Sequence, residues 1–555
     1  MWKAASSLLA LAVCILLLVP GAGWSQDRVG ELEKKVQDLE KQLLDLKQVL
    51  EAEKAAREAA PAVPPAAPPA APPAAPEKPV TKLIGPGGTL QVGGDIRLRG
   101  LYFDNLWDFE DGTNDRREVF RFRPRVFLDW NPVDNMEAYV RLTKEWFYGQ
   151  DNEHYGYDVE AKDAMFDNAW AEVRNILGTG LSLRAGRQDL VYGEGFVILD
   201  GTPYDGSQTI SFDAAKLSYK YDWGTTDLIY SKLQENGYQS SDDEDLYGIY
   251  NKITIGDTGV GLEPYFLVRN KNDAPDISGG PGKVTYPYAA YDPSPKEQTY
   301  LIGMRGTKSF PVADGLTLAL ASEFGKEFGE VDFTGVPKIG VDPVNGFSYG
   351  GSGEVDRDAW GGYLHATLTW DKTPWKPSLK AGFYYMSGDD PTSDDYEGWD
   401  DFYGQWPKYS ELYIYSLYDG FKFANKGNDP DVGAWSNIYF PELMFTFQPT
   451  DKLTQSFRYL YYLAEEKTGP GGGDERGHNI QSLTNYVFTK NMSGHILVEW
   501  LEPGNYYADD ADGALFARFQ LMYTFWRNVL PCVESLKNRG ERPRGGSPRQ
   551  PWLTR

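Results

Sequence analysis

The sequence predicts an all-β protein: a transmembrane antiparallel up-and-down β-barrel of about eighteen strands, preceded by a short α-helical coiled coil. Three observations lead there. The chain opens with an export leader, and no later stretch is apolar enough to cross a bilayer as a helix. A two-residue alternation of apolar and polar side chains begins near Thr89 and recurs to residue 525. The composition is the third: 36 Tyr and 16 Trp in 555 residues, with a mean hydropathy of −0.49. Amphipathic rings suit the two interfaces of a barrel, and the polarity suits wet loops and a wet lumen.

Residues 1–25 read as a signal peptide, with Lys3 as the charged start, Leu8 to Val19 as a short apolar core, and the small residues Gly23 and Ser25 before the cut. An exported chain that enters a membrane without a spanning helix must do so as a closed barrel, because every backbone polar group needs a partner in lipid. Residues 26–60 carry a heptad seam: Val29, Val36, Leu43 and Leu50 at one core position, Leu32, Leu39 and Leu46 at the other. This periplasmic helix either self-associates, making the protein a homo-oligomer, or lies as a single amphipathic helix on another surface. Residues 61–87 form a Pro/Ala-rich linker whose Pro-Pro-Ala-Ala repeats favour extended polyproline II. The barrel takes residues 88–525, and residues 526–555 read as a basic, disordered tail.

Strand signals are clearest early. Phe120, Phe122, Pro124, Val126, Leu128 and Trp130 share one face, and Arg121, Arg123, Arg125 and Asp129 share the other. The turn 131–135 leads back into Met136, Ala138, Val140 and Leu142, alternating with Glu137, Tyr139, Arg141 and Thr143. Further strands are expected near 90 and 167 and at 181–192, 208–221, 226–234, 246–255, 260–270, 298–309, 315–327, 358–370, 377–387, 436–448, 453–464, 479–489, 493–502 and 514–525. Short turns alternate with long polar loops such as 103–117, 271–297, 328–357 and 388–435. That asymmetry separates a membrane barrel from a soluble sandwich and sets the barrel in the lipid of a Gram-negative outer membrane.

A formal net charge of −25 excludes a nucleic-acid partner, which wants a basic face. Cys14 and Cys532 lie outside the barrel, so neither disulfides nor a Cys-based metal site is available to it. The four histidines, His154, His365, His478 and His495, show no metal or triad spacing, and no catalytic activity is expected. A barrel enzyme and an envelope tether remain the competing classes. Two acidic loops, 240–245 and 388–404, are rich enough in oxygen to suggest Ca²⁺, although neither matches a defined calcium loop and solvated surface is the simpler reading.

The arginines carry the positive reading. Arg97, Arg99, Arg121, Arg123, Arg125, Arg141 and Arg174 fall on the polar side of their strands, and Arg184 joins them if its strand keeps step. Arg187 has the opposite parity and needs a kink at Gly186 to turn inward. Guanidinium forks bind carboxylates bidentately, and a row of weak sites passes an anion along. Asp95, Asp129, Glu137, Glu145 and Glu172 alternate into the same lumen, so an ion-pair network that only holds the wall together is the competing explanation.

The run Leu183-Arg184-Ala185-Gly186-Arg187-Gln188-Asp189-Leu190-Val191-Tyr192-Gly193, continuing through Phe196 to Asp200-Gly201-Thr202-Pro203, resembles the alginate export family of outer-membrane porins. The strand pair around Phe120–Trp130 and Ala138–Leu142, and Tyr384-Tyr385-Met386-Ser387-Gly388-Asp389-Asp390, carry the same resemblance, which spans roughly residues 88–525. It implies an eighteen-stranded barrel with an Arg-lined, anion-selective lumen that passively passes polyuronate chains without a cofactor. A general or small-anion diffusion porin is the runner-up. The coiled coil and spacer depart from the family's pattern. The last strand, Phe519, Leu521, Tyr523 and Phe525 alternating with polar residues, resembles the C-terminal assembly signal of outer-membrane proteins, except that some thirty residues follow it.

Overall fold

The computed structural model describes residues 88–528, apart from 107–108, 110–111, 113–115, 149–163, 200–211, 235–242, 272–295, 333–352, 391, 405–407, 416–434 and 470. The signal peptide, coiled coil, Pro/Ala-rich linker and all but the first three residues of the basic tail lie outside this set.

One antiparallel sheet closes on itself. Its strands are β1 (Thr89–Asp104), β2 (Arg117–Val133), β3 (Met136–Thr143), β4 (Trp146–Tyr148), β5 (Met165–Ile176), β6 (Leu181–Gln188), β7 (Phe212–Tyr221), β8 (Gly224–Gln234), β9 (Glu244–Ile255) and β10 (Val260–Lys271). The circuit continues through β11 (Lys296–Ala313), β12 (Leu316–Asp332), β13 (Glu354–Trp370), β14 (Ser378–Met386), β15 (Ile438–Thr450), β16 (Leu453–Leu463), β17 (Glu475–Thr489), β18 (Met492–Glu502) and β19 (Ala514–Asn528). Sequence neighbours pair throughout except at β4, where β3 and β4 do not pair with each other but both pair with β2 and β3 goes on to β5, and β1 closes the ring by pairing with both β2 and β19.

The segments β3 and β4 are two pieces of one crossing, both paired to β2 in a single register, which leaves eighteen staves. The break has a local cause. Pro124 of β2 faces Lys144 and accepts its N–H at 3.2 Å, but has no N–H of its own to return.

Alternation sorts the side chains. On β2 the apolar row is solvent-accessible on the outer wall (Phe120 55%, Leu128 46%) while Arg121, Arg123 and Arg125 are buried within. Exposed Trp130, Trp223 and Trp375 sit beside short turns, and Trp146 and Trp500 near the long loops, so rings mark both edges of the apolar band. Each expected strand has a counterpart. One is clearly shorter than expected: β6 stops at Gln188 rather than 192.

Residues 189–192 belong to a different element. Segment 189–199 and the described parts of the long connection that follows β14 (387–390, 392–404, 408–415 and 435–437) turn into the barrel and bury Leu190, Tyr192, Phe196, Val197, Trp399, Tyr403, Tyr409, Leu412 and Trp435 there. They join one another: Leu199 N–H donates to Tyr403 O at 2.8 Å, and Tyr403 N–H to Val197 O at 3.1 Å. We call this crossing the strap; it includes one short helical turn, α1 (Glu411–Tyr415).

Candidate functional site: an arginine wall and a strapped lumen

The first wall is built by register. Arg97 of β1 stands opposite Arg123 of β2, Arg99 opposite Arg121, and Asp95 opposite Arg125, all on the inner face. Like charges in direct cross-strand positions destabilise a sheet, so such a pattern needs compensation. Two carboxylates contribute. Glu145, at the β3–β4 break, takes Arg97 at 3.0 Å and both Arg121 nitrogens at 3.2 and 2.9 Å. Asp95 takes Arg125 at 2.8 Å and Arg123 at 3.5 Å. Arg99 donates to Gln520 of β19 at 3.0 and 2.6 Å. All five arginines have further contacts besides these.

The other expected arginines are dispersed around the next strands. Arg141 pairs with Asp167 at 2.8 Å and Asp189 at 3.4 Å. Arg174 pairs with Glu137 and lies 3.6 Å from Glu172. Arg184 reaches Glu172 at 2.8 Å and lies 3.8 Å above the Trp170 ring. Arg187 is a correction. Gly186 has φ +119°, yet the register runs on unbroken through Ala185↔Ala215, Gly186↔Ala214 and Arg187↔Asp213. Arg187 therefore stays with outward-facing Leu183 and forms a two-pronged pair with Asp213 at 2.7 Å on the outer wall.

The strap is fastened at two ends. At one, Asp400 binds Arg269 of β10, with one contact at 3.2 Å, and its N–H donates to Glu327 of β12 at 3.2 Å. Arg357 of β13 lies 3.7 Å away and is held by Glu297 at 3.1 Å. Burial acts to raise the Asp400 carboxyl, but Arg269 and Arg357 outweigh it and hold it below its ordinary value.

Beside Asp400, the Trp399 ring fills a trough of bare backbone. Gly303, Gly325 and Gly361 stand side by side on β11, β12 and β13, Gly303 under the Tyr265 ring and the other two under Trp399. A Cβ on Gly361 would come within 2.5 Å of that ring, and one on Gly325 within 3.2 Å. At the other end Glu499 of β18 accepts Ser410 Oγ at 2.6 Å and the N–H groups of Glu411 and Leu412 at 3.1 and 3.4 Å. Arg458 donates to the carbonyls of Lys408 and Tyr409 at 3.1 and 3.2 Å.

Between these ends Glu194 of segment 189–199 meets His365 at 3.1 Å, Arg305 at 3.2 Å and Lys408 at 3.9 Å. Burial alone would raise its carboxyl. The His365 hydrogen bond, with the charges of Lys408 and Arg305, pulls it down to about 2. Desolvation lowers the Lys408 amine to about 8, against the pull of Glu194. A cavity of about 550 Å³ remains beside the strap, lined in part by Glu194, Lys408, Glu411, Arg458, Glu499 and Arg518.

The acidic stretch 388–404 has structural work to do. Asp389 accepts Glu397 N–H at 2.9 Å, Asp390 accepts Thr392 N–H at 2.8 Å, and Asp400 is the anchor described above. Among the described residues no group of three or more His, Cys, Asp or Glu is gathered as a metal site. His478 lies on the outer rim between Tyr459 and Tyr461, and His495 accepts from Arg518 at 2.9 Å.

A closed barrel with an apolar outer wall and a charged, loop-narrowed interior defines the class: an outer-membrane channel. The chain belongs to the alginate export family, which residues 89–519 match. Among solved structures it is similar to Acinetobacter baumannii OccAB1, at 10% identity over 80% of this chain and 98% of that one, with a TM-score of 0.47. It is also similar to Pseudomonas aeruginosa OccK5 (OpdH), at 13% identity over 79% and 98%, with a TM-score of 0.46. No curated protein matches.

Proposed function

We propose that this channel passes an anionic polysaccharide or oligosaccharide, by passive diffusion, past the arginine wall of β1–β3. The observation that carries the reading is the facing of Arg97 by Arg123 and of Arg99 by Arg121. A wall that needs only to hold together would alternate charge, because opposite charges in those positions stabilise the sheet and like charges do not. Guanidinium groups facing one another across two strands offer forks that a passing carboxylate can share. In this reading the long loops face outward, while the short turns and the chain preceding β1 face the periplasm.

The test is single-channel recording in a planar bilayer, with reversal potentials in a salt gradient and with oligouronate added. Anion selectivity and current block by the acidic sugar support the reading. Anion selectivity without block favours a small-anion porin. A cation-selective channel would mean that the arginines are neutralised within the wall.

A further inference from the structure

Next to the arginine wall, toward the short-turn rim, the inner face changes character. Along β2 it reads Arg121, Arg123, Arg125 and then Phe127. Phe127 lies 5.5 Å, centre to centre, from Tyr139 of β3, and Tyr139 lies 5.5 Å from Trp170 of β5. Their planes differ by only 26° and 21°. Arg184 of β6 ends the row, with its guanidinium over Trp170. Gly186 stands opposite Trp170 in the register, and any Cβ there would come within 2.9 Å of the Trp170 backbone. The row is therefore a continuous shelf across four neighbouring strands.

Two features mark this shelf as accessible. Its three rings are half-buried, whereas the strap's own rings, such as Trp399 and Trp435, are fully buried. Its cations are also the open ones. The side chains of Arg174 and Arg184 are 38% and 25% exposed, against 0% for Arg97 and Arg123. Small inorganic anions have no use for a row of aromatic rings. A pyranose has an apolar C–H face that packs on such rings, and a uronate carries a carboxylate that a guanidinium takes as a fork.

We propose that Phe127, Tyr139, Trp170 and Arg184 form a docking shelf for a uronate pyranose at the periplasmic mouth, from which the chain enters the arginine wall. The shelf rests on the function proposed above and names the class of ligand that function would carry: a carboxylated sugar ring rather than a simple anion. Arg174 and Arg184 are shared with Glu172, so an incoming carboxylate competes for them and is not held permanently.

The test is the dwell time of current block in a planar bilayer, using an oligouronate and a neutral oligosaccharide of equal length, each added to the short-turn side. Trp170→Leu keeps apolar bulk and removes the flat ring. It is expected to shorten both dwell times about three- to tenfold, while the reversal potential in potassium chloride stays put. Arg184→Gln is expected to shorten the uronate dwell about tenfold and to leave the neutral sugar unchanged. Tyr139→Leu carries the ring test if Trp170→Leu does not fold, as judged by heat-shifted electrophoretic mobility. Wild-type dwell times in the folded ring variants would overturn the shelf and leave the arginine wall standing. A wild-type channel that no oligouronate blocks would overturn both.

Discussion

Arg97 lies directly across the β1–β2 ladder from Arg123, both side chains wholly buried on the inner face of the barrel. Replacing Arg97 by Gln leaves Glu145 bound at both oxygens by Arg121. The variant should therefore fold with a stability within about 1 kcal/mol of the parent, because a like-charge cross-strand pair is relieved. Anion preference should fall, read as a reversal potential shifted toward zero. A large loss of stability with unchanged selectivity would mean that the pair is purely structural.

Glu145→Gln acts in the opposite sense. It removes the carboxylate that Arg97 and Arg121 share. Breaking a buried ion pair on one side costs about 3–5 kcal/mol. Urea unfolding of the refolded barrel should show that loss, and the surviving channel should be more anion-selective than the parent.

Trp399→Ala should widen the bore. The ring plugs the trough over Gly325 and Gly361, and its neighbour Asp400 bridges to β10 and β12. Truncating a buried Trp costs about 3–5 kcal/mol, enough to free that end of the strap. Exclusion of graded polyethylene glycols from the conducting pore should shift to larger polymers. An unchanged cut-off would place the constriction elsewhere.

Asp389 makes the strap's root sensitive to pH. Burial, reinforced by Glu397, Asp390 and Glu466, raises its carboxyl from 3.8 to about 7. A raised carboxyl contributes stability that is complete below about pH 4 and is lost as pH rises through 7. Protection of residues 387–390 and 392–397 against hydrogen exchange, taken relative to the intrinsic base-catalysed rate at each pH, should fall between about pH 4 and 7, and Asp389→Asn should flatten that dependence.

Arg187→Ala is the quiet variant. Its pair with Asp213 is on the outer wall and a third to a half exposed, so its removal should cost about 0–1 kcal/mol. Ion selectivity should not move. A selectivity change as large as that of Arg97→Gln would put Arg187 back in the lumen.

The barrel is legible in the sequence because lipid and water impose opposite demands on alternate residues, and that contrast survives without knowledge of any partner strand. The inward arginines of β1 and β2 follow from the same parity, as do Asp95 and Glu145. Arg187 went astray where a glycine looked like a kink but its two neighbouring ladders held the register. The strap is illegible for another reason. Trp399 and Asp400 sit in a loop with no period, and the glycines that seat the ring lie in separate strands, aligned only by the register. Glu194 likewise reads as one acid in a turn until His365, Arg305 and Lys408 converge on it. Proximity between distant loops leaves no mark on local pattern.

The ring's seam joins β1 to β19 from Gln91↔Asn528 to Asp104↔Leu515, and Arg99 finds Gln520 at a distance of 421 positions along the chain. An edge whose complement emerges last stays unmatched throughout transit, with every second donor and acceptor available to a stranger. Strand-by-strand folding as the chain arrives cannot by itself seal such a ring, because its closing contacts join the two extremes of the sheet. Until the final strand arrives the first edge is a template for foreign strands, and a chain cut short of β19 would leave a gutter rather than a tube.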